Sequence, residues 1–270
     1  MFEDSTHQLW RCSTDDGEMM LKICRHRHLA YSACWQVMTE LFGRYLPHAL
    51  ADIDLIQQRL EQSGNIPIPE LIACGGQTPQ WPAFMLNRII SGEMLNPSHI
   101  TDDMVLQLAG HIAGLHANMS EQWGDLAAPQ YPAALWPETL IKTLERQVAG
   151  QGVGEAWLSR AVSQTERITP GLFSPIMLDN RWDQYLFEAG KIRALVDIDA
   201  FVAGPRELEL VLLEYQLDNA QAKLFADAYQ KILPMPDLSQ VRLSYRLLLF
   251  LMNALGEVDL DKWMQSPVKW

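Results

Sequence analysis

The stretch Ser174–Leu208, SPIMLDNRWDQYLFEAGKIRALVDIDAFVAGPREL, contains the features that decide the predicted fold. Two apolar runs of β-strand type, Gln184–Phe187 and Ile192–Ile198, are separated by the tetrapeptide EAGK at 188–191. A glycine in a short segment between two such runs is typical of a hairpin turn. The stretch therefore predicts an antiparallel β-hairpin with acidic and amide side chains at its two ends.

The acidic and amide side chains around this hairpin have a spacing that is typical of kinases. Asp179 lies five residues before Gln184, and Asp197 and Asp199 close the second strand. In kinases, a loop aspartate faces the acceptor hydroxyl, and an amide and a later aspartate hold magnesium. The alternative is that Asp199 is a solvated strand end, Asp183 a turn residue and Gln184 an ordinary strand start. Short motifs often match by chance, so on these residues alone we favour the alternative.

The composition limits the classes of protein to which the chain can belong. It has 270 residues, 48% of them hydrophobic, which is enough for one large domain or two lobes. The net charge of −12 argues against a nucleic-acid-binding or anionic-membrane-binding surface and is compatible with a cationic substrate. We expect a cytoplasmic protein with reduced thiols, because the four cysteines lack paired metal-ligand spacing and the sequence shows neither a signal peptide nor a membrane-spanning run.

The first 92 residues are predicted to contain both strands and helices. Lys22 lies in the second strand of a hairpin that turns at an Asp-Asp-Gly sequence. It has two interpretations, a solvated strand residue or the kinase lysine that binds the α- and β-phosphates. The predicted elements are strands over Leu9–Cys12, Met19–Cys24, Leu71–Cys74 and Ala83–Ile90 and helices over Tyr31–Phe42 and Ala49–Gln62.

The rest of the chain is predicted to be mainly helical, interrupted by the acidic hairpin. A helix over Thr101–Ala117 carries His111 and His116, which we interpret as surface or capping histidines rather than metal ligands. Glu121–Pro137 is predicted to be a loop. Further helices are predicted over Glu138–Ala149, Glu155–Ile168, 206–231 and 237–255.

This order of elements predicts an α+β fold with two lobes. Residues 1–92 would form a small, β-containing N-lobe. Residues 93–270 would form a larger, mainly helical C-lobe that includes the hairpin region 179–199. Ser91–Pro97 is the expected hinge.

With that order in place, the chain resembles the aminoglycoside phosphotransferase/choline kinase superfamily, whose members are small-molecule kinases with a protein-kinase-like fold. The resemblance covers nearly the whole chain, and its motifs stand in the family's order. They are DGEMMLKI at 16–23, IPIPELIACG at 66–75, FMLNRIISGEML at 84–95, LAGHIAGLHA at 108–117, MLDNRWDQYLF at 177–187 and LVDIDAFVAGPRELEL at 195–210.

The resemblance assigns roles to the residues of the acidic hairpin. Asp179 matches the catalytic aspartate, Gln184 occupies the place of the magnesium-binding asparagine, and Asp197 matches the magnesium-binding aspartate. Asp199 falls on the acidic fourth position of the same strand-end motif.

On the N-terminal side, the resemblance makes Lys22 the lysine that binds the phosphates of ATP. The backbone at Asn87, Arg88 and Ile89 would contact adenine. Lys22 requires an acidic partner from a helix. Glu40 and Asp54 both have suitable positions, and the sequence leaves the choice between them open.

The resemblance implies an ATP- and magnesium-dependent phosphotransferase that acts on a hydroxyl of a small polar molecule. Three departures favour an alternative, a catalytically impaired pseudokinase-like protein that acts through a protein partner. Met177 and Leu178 stand where the family has His-Gly, Gln184 is one methylene longer than asparagine, and Met1–Gln8 contains no glycine-rich loop, which indicates a truncated N-lobe. An acidic cleft in an active enzyme would suit an amine-bearing substrate.

Overall fold

The N-terminal part of the protein is built around a four-stranded antiparallel sheet, as seen in a computed structural model that describes residues 6–152, 155–169 and 171–270. The strand order is β1-β2-β4-β3. Gly17 turns the first hairpin with a φ of 112°, a conformation that favours glycine. The strands of the described chain are β1 His7–Thr14, β2 Gly17–Cys24, β3 Leu71–Gly75, β4 Phe84–Arg88, β5 Glu93–Met94, β6 Gln122–Asp125, β7 Tyr131–Pro132, β8 Ser174–Met177, β9 Tyr185–Glu188, β10 Lys191–Leu195 and β11 Phe201–Gly204.

The C-terminal part is mainly helical. Its long helix α5 packs against α9 and β8, and α10 packs against α7 and α8. The helices of the described chain are α1 His26–Leu29, α2 Ala33–Phe42, α3 Leu46–Ala49, α4 Ile53–Ser63, α5 Asp102–Ala117, α6 Trp136–Gln151, α7 Glu155–Thr165, α8 Arg206–Leu213, α9 Asn219–Tyr229, α10 Arg242–Leu251 and α11 Leu260–Met264. No helix in these described ranges is long and apolar enough to cross a membrane.

Two smaller sheets carry the acidic hairpin and the strands on either side of it. The predicted hairpin is present as β9 and β10, and β5 adds a third strand in the order β10-β9-β5. The other sheet has the order β7-β6-β11-β8. In it, β8 runs antiparallel to β11, so that Met177 lies opposite Phe201. This pairing brings the residues before Asp179 next to those after Asp199.

The α+β fold class predicted from the sequence is confirmed, with a sheet at the N-terminal end and helices dominating the rest. The boundary at residue 92 stays a prediction. The first five residues, which belong to the segment in which the sequence shows no glycine-rich loop, lie outside the described part of the chain.

Several predicted elements differ from the structure. Glu121–Pro137 is not a loop, since β6 and β7 lie within it and its last residues begin α6. The helix predicted over 206–231 is two helices, α8 and α9, and Asp218 caps the second with a capping box. Short strands in a segment rich in Trp and Pro have no clear alternation, which is the reason that β6 and β7 escaped prediction.

Helix α2 lies in the N-terminal part of the sequence but packs on the C-terminal part. Phe42 at its end contacts the rings of Trp123 and Trp136, with ring centroids 6.3 and 5.8 Å away. On its outer side, Glu40 pairs with Arg146 of α6 at 3.0 Å. The segment between the Lys22 strand and α4 therefore connects the two parts of the fold.

Candidate active site

Lys22 and Asp197 form an ion pair between the N-terminal sheet and the exit of β10. Lys22 Nζ lies 3.1 Å from Asp197 Oδ1 and donates a hydrogen bond to the carbonyl oxygen of Val196 at 3.0 Å. Both side chains are mostly buried, with 12% and 26% of their surfaces exposed. Lys22 therefore contacts the segment that follows the acidic hairpin, and its interpretation as a solvated strand residue is wrong.

Neither of the acidic partners considered for Lys22 is the one that the structure shows. Glu40 pairs with Arg146 and accepts a hydrogen bond from Gln147, because α2 faces α6. Asp54 lies on α4, where its charge acts on the pKa of Cys74. The carboxylate that holds Lys22 is Asp197.

Asp179 lies in the loop after β8 and has two partners from its own loop. Arg181 Nη1 lies 2.7 Å from Asp179 Oδ1, and Gln184 Nε2 donates to Oδ2 at 2.9 Å. Burial raises the pKa of Asp179 to about 7, although Arg181 opposes the rise, and the charge of Asp197 adds to it. Asp179 is thus a carboxyl group that gains and loses its proton near neutral pH.

Gln184 lies in the turn before β9 and connects the Asp179 loop to the segment that follows β10. The backbone carbonyl oxygen of Gln184 accepts a hydrogen bond from the backbone amide of Val196 at 2.9 Å. Its side-chain nitrogen is engaged by Asp179, which leaves the amide oxygen for another ligand. Gln184 is buried and positioned by these contacts, so it is more than an ordinary strand start.

Asp197 and Asp199 lie close together in a buried acidic pair with opposite protonation tendencies. Burial opposes ionisation of Asp197, yet Lys22 and His7 hold its pKa below the ordinary value. Burial raises the pKa of Asp199 well above the ordinary value, and the neighbouring charge of Asp197 raises it further. The pair therefore favours the ionised form at Asp197 and retention of the proton at Asp199. The interpretation of Asp199 as a solvated strand end is wrong, since only 6% of the residue is exposed.

His7 of β1 covers the same corner from the N-terminal sheet. Its Nε2 lies 3.5 Å from Asp199 Oδ2. Burial lowers the pKa of His7 to about 4, so the ring is neutral at pH 7. The contact of His7 with Asp199 at that pH is consequently made by an uncharged imidazole ring.

A buried polar network holds the loop that carries Asp179. Asn180 Nδ2 donates to Glu209 Oε1 at 2.7 Å, and Asn180 Oδ1 accepts from the hydroxyl of Tyr185 at 3.0 Å. Glu209 Oε2 in turn lies 2.9 Å from Nε2 of His116. The Asn180 carbonyl oxygen also accepts a hydrogen bond from Gln216. The loop is thus braced through Asn180, which follows Asp179, and the buried apolar side chains of Met177 and Leu178 precede it.

The prediction for the two histidines of α5 is wrong in respect of their exposure. His111 and His116 are 1% and 0% exposed. His111 Nδ1 accepts hydrogen bonds from the backbone amides of Asn65 and Ile66, both at 3.1 Å. His116 contacts Glu209 and Tyr229. Both rings serve buried hydrogen bonding.

Arg44 contacts the segment that carries Asp199, which the sequence did not indicate. Its Nε donates to the carbonyl oxygen of Asp199 at 2.7 Å, and its Nη1 donates to both carboxylate oxygens of Asp125 at 2.8 and 2.9 Å. Arg44 follows α2 directly and is fully buried. No local pattern distinguishes it, because its partners lie 81 and 155 residues away.

Glu209 also escaped the sequence analysis, although a signal existed. It lies between Leu208 and Leu210 in α8, where all three side chains are buried. An acidic residue on the apolar face of a helix indicates a buried polar partner.

The end of β4, which is predicted to meet adenine, is held by hydrogen bonds to neighbouring segments. The amide of Arg88 donates to the carbonyl oxygen of Glu70 at 2.9 Å, and that of Ile89 donates to Glu18 at 3.0 Å. Asn87 Nδ2 donates to the carbonyl oxygen of Pro69 at 3.3 Å. These contacts fix the strand, and the adenine-binding role of Asn87, Arg88 and Ile89 stays a prediction.

Asp197 and Gln184 have the donor atoms that magnesium prefers. A carboxylate and an amide oxygen are hard oxygen ligands, and magnesium is commonly held by one or two protein carboxylates together with substrate phosphates. The described residues contain no group of three or more His, Cys, Asp or Glu side chains arranged to hold a metal ion. Such a group is not required where phosphate oxygens complete the coordination, so the residues present fit magnesium bound together with a nucleotide.

Several solved structures with a similar fold are macrolide or aminoglycoside phosphotransferases. A macrolide 2′-phosphotransferase from Brachybacterium faecium superposes with a TM-score of 0.61 at 13% identity, covering 98% of this chain and 90% of its own. The aminoglycoside phosphotransferase APH(4)-Ia gives 0.62 at 14% identity, with 99% and 93% covered. The GDP complex of aminoglycoside 2′-phosphotransferase-IIIa gives 0.58 at 12% identity, with 92% and 80% covered.

These likenesses confirm the kinase-like fold predicted from the sequence, which the chain shares with these macrolide and aminoglycoside phosphotransferases. Comparison of the sequence alone does not detect this likeness. No protein-family model matches the chain, and no curated protein matches it.

Proposed function

We propose that this protein transfers a phosphoryl group from a nucleoside triphosphate to a hydroxyl group of a small polar molecule. The observation that carries the proposal is the meeting of Lys22, Asp179, Gln184 and Asp197 at one corner of a protein-kinase-like fold. Lys22 contacts Asp197, Gln184 contacts Asp179, and the backbone joins Gln184 to Val196. Phosphoryl transfer requires positioning and charge neutralisation more than covalent chemistry, and these four side chains provide the types of group that it needs.

Asp179 would orient the acceptor hydroxyl and accept its proton. A carboxyl group with a pKa near 7 is a better proton acceptor than an ordinary aspartate and is still ionised in about half of the molecules at pH 7. Arg181 and Gln184 hold the carboxylate in one orientation. Lys22 would contact the phosphates of the nucleotide, for which it must exchange part of its contact with Asp197.

ATP and magnesium are the proposed cofactors. Asp197 and Gln184 would hold the cation, which supplies neutralisation of phosphate charge when it is bound. The solved relatives with this fold include complexes with GDP and with ADP, which supports a nucleotide site of the same type. ATP and GTP are both candidates for the phosphoryl donor.

The acceptor is proposed to be a small molecule with a hydroxyl group and a positive charge. One relative is a complex with hygromycin B and another a complex with kanamycin, while further relatives are macrolide phosphotransferases. The net charge of −12 favours attraction of a cationic acceptor. A cytoplasmic location remains our prediction.

A second candidate function is that of a pseudokinase-like binding protein that acts through a protein partner. The observation that favours it is that Asp179 and Lys22 already form ion pairs within the protein. Asp179 is held by Arg181 at 2.7 Å and Lys22 by Asp197 at 3.1 Å. A nucleotide and an acceptor would have to displace part of these contacts.

A radiolabelled phosphoryl-transfer assay distinguishes the two candidates. The protein is incubated with ATP or GTP labelled in the γ-phosphate, Mg²⁺ and a panel of aminoglycosides, macrolides and amino alcohols. Transfer that Asp179→Asn abolishes supports the kinase. The kinase proposal is wrong if the wild type labels no acceptor and releases γ-phosphate no faster than Asp179→Asn does. The binding function is then preferred.

A further inference from the structure

The segment between β2 and α4 places one buried arginine against the metal-binding strand end. Gly43 ends α2 in a left-handed conformation with a φ of 67°, and the amide of Arg44 donates to the carbonyl oxygen of Met38 at 3.0 Å. This is the hydrogen-bond pattern with which glycine ends a helix. Phe42, just before the turn, is fixed between Trp123 and Trp136. The backbone that presents Arg44 is therefore held on both sides of the turn.

Through its guanidinium, Arg44 joins the end of α2 to two other segments of the chain. It reaches the carboxylate of Asp125 at the end of β6 and the carbonyl oxygen of Asp199, two residues after Asp197. Residues 200–204 run from there into β11, whose neighbour β8 leads to Asp179. Arg44 therefore holds the start of β11. Through the pairing of β11 with β8, this contact bears on Asp179 at one end of the hairpin as well as on Asp197 at the other.

The burial of Arg44 is costly for stability alone. None of its side-chain surface is exposed, and Nη2 has no hydrogen-bond partner among the described residues. Well-packed hydrophobic residues often stabilise a fold as much as a buried ion pair does. What an apolar side chain cannot do is hold the carbonyl oxygen of Asp199 and the carboxylate of Asp125 in one fixed geometry, for which the planar guanidinium is suited.

We propose that Arg44 is a positioning residue that holds residues 197–199 in the geometry in which Asp197 binds magnesium together with a nucleotide. This inference rests on the proposed function, since it assigns to Arg44 a part in cation binding at the same site. Outer contacts that orient a metal ligand commonly change metal affinity by about 10- to 100-fold when they are removed.

Arg44→Lys is the variant that tests the proposal. A lysine keeps the buried positive charge and the pairing with Asp125, but its ammonium group lacks the second, fixed direction towards the Asp199 carbonyl oxygen. Arg44→Met, which removes the charge, is made alongside it and is interpreted only if it folds. Arg146→Met is the matched control, because it removes the other arginine contact of α2, an exposed pair with Glu40.

Two measurements are made on the full chain. The first is the affinity for ATP, measured by titration calorimetry at several Mg²⁺ concentrations. It gives the Mg²⁺ concentration at which half of the Mg²⁺-dependent gain in affinity is reached. The second is hydrogen exchange of the backbone amides of residues 197–204 without ligand. For Arg44→Lys we expect a Mg²⁺ requirement raised about tenfold, unchanged nucleotide affinity without Mg²⁺, and faster exchange over residues 197–204. Arg146→Met should behave as the wild type in both.

The outcomes separate this proposal from the proposed function. If Arg44→Lys needs no more Mg²⁺ than the wild type, or if exchange over residues 197–204 is unchanged, Arg44 does not position the strand end and the inference is wrong. If the wild type binds no nucleotide with Mg²⁺, the proposed function fails, and with it the assignment to magnesium. In that event, faster exchange in Arg44→Lys alone would reduce the role of Arg44 to holding the fold.

Discussion

Lys22 Nζ and Asp197 Oδ1, 175 residues apart in the sequence, lie 3.1 Å from each other and join the N-terminal sheet to the acidic hairpin. The pair is largely buried, so solvent screens it less than an exposed ion pair. It contains the two residues that the proposed mechanism assigns to phosphate and to magnesium. Its energetics therefore report on the site before any ligand is known.

A double-mutant cycle with Lys22→Met and Asp197→Asn should reveal a coupling free energy of about 1–3 kcal/mol at pH 7. Urea unfolding of the four proteins gives the measurement. Because the pKa of Asp197 is lower in the folded protein than its ordinary value, the pair stabilises the fold above pH 4. The coupling should fade as the pH falls below that value. A coupling that is absent at pH 7 would contradict the pairing seen here.

Replacement of Asp179 by Asn should stabilise the protein at pH 8. The folded-state pKa of about 7 exceeds the ordinary value of 3.8, so the folded protein binds the proton more tightly than the unfolded chain. The wild type consequently loses stability as the pH rises from about 4 to about 7, and Asp179→Asn does not. We expect the variant to be more stable by about 1–3 kcal/mol at pH 8 and by much less at pH 4. Thermal unfolding of both proteins from pH 4 to pH 8 tests this, and an equal gain at all pH values would refute it.

The pH dependence of phosphoryl transfer should respond in opposite directions to two neighbouring substitutions. Arg181 lowers the pKa of Asp179 and Asp183 raises it. Activity requires ionised Asp179, so Arg181→Gln should move the acidic limb of kcat/KM to higher pH by about one unit, and Asp183→Asn should move it to lower pH. The pH–rate profiles of the three proteins are compared with the best acceptor found. Shifts in the same direction would exclude Asp179 as the titrating group.

Removal of the Glu209 side chain should strongly destabilise the fold. Glu209→Ala leaves the amide of Asn180 and the ring of His116 buried without their acceptor. The expected loss is about 2–4 kcal/mol in the free energy of unfolding. Glu207→Ala, two residues away and only partly buried, is the control and should cost less than about 1 kcal/mol. Equal losses in denaturant unfolding would show that the network contributes nothing beyond helix α8 itself.

The sequence predicted well those features that are encoded locally. The hairpin was found because Gly190 and two apolar runs define a turn between strands, and the structure has it as β9 and β10. The prediction that the second strand extends to Ile198 is wrong, since β10 ends at Leu195 and Asp197 and Asp199 lie beyond it. The spacing of Asp179 and Gln184 is local as well, and the structure brings these two side chains together. Lys22 was identified through the resemblance and indeed faces the hairpin.

What the sequence could not predict depends on contacts between distant segments. Glu40 and Asp54 were reasonable partners for Lys22 by position, but helical periodicity does not say which neighbour a helix meets, and α2 turns Glu40 towards Arg146. No sequence pattern indicates Arg44, because its role depends on contacts with Asp125 and Asp199, which are distant in the sequence. His116 stands in the apolar stripe of α5, and its burial follows from a carboxylate that α8 brings to it.

Nucleotide binding by the unmodified protein tests the central claim most directly. Titration calorimetry with ATP and GTP, with and without Mg²⁺, is performed on the wild type, Lys22→Met, Asp197→Asn and the control Glu40→Gln, whose side chain faces α6. The proposed function predicts Mg²⁺-dependent binding that the wild type and Glu40→Gln share and that Lys22→Met and Asp197→Asn lose. Absence of binding in the wild type at millimolar nucleotide, or binding that survives both substitutions, would contradict it.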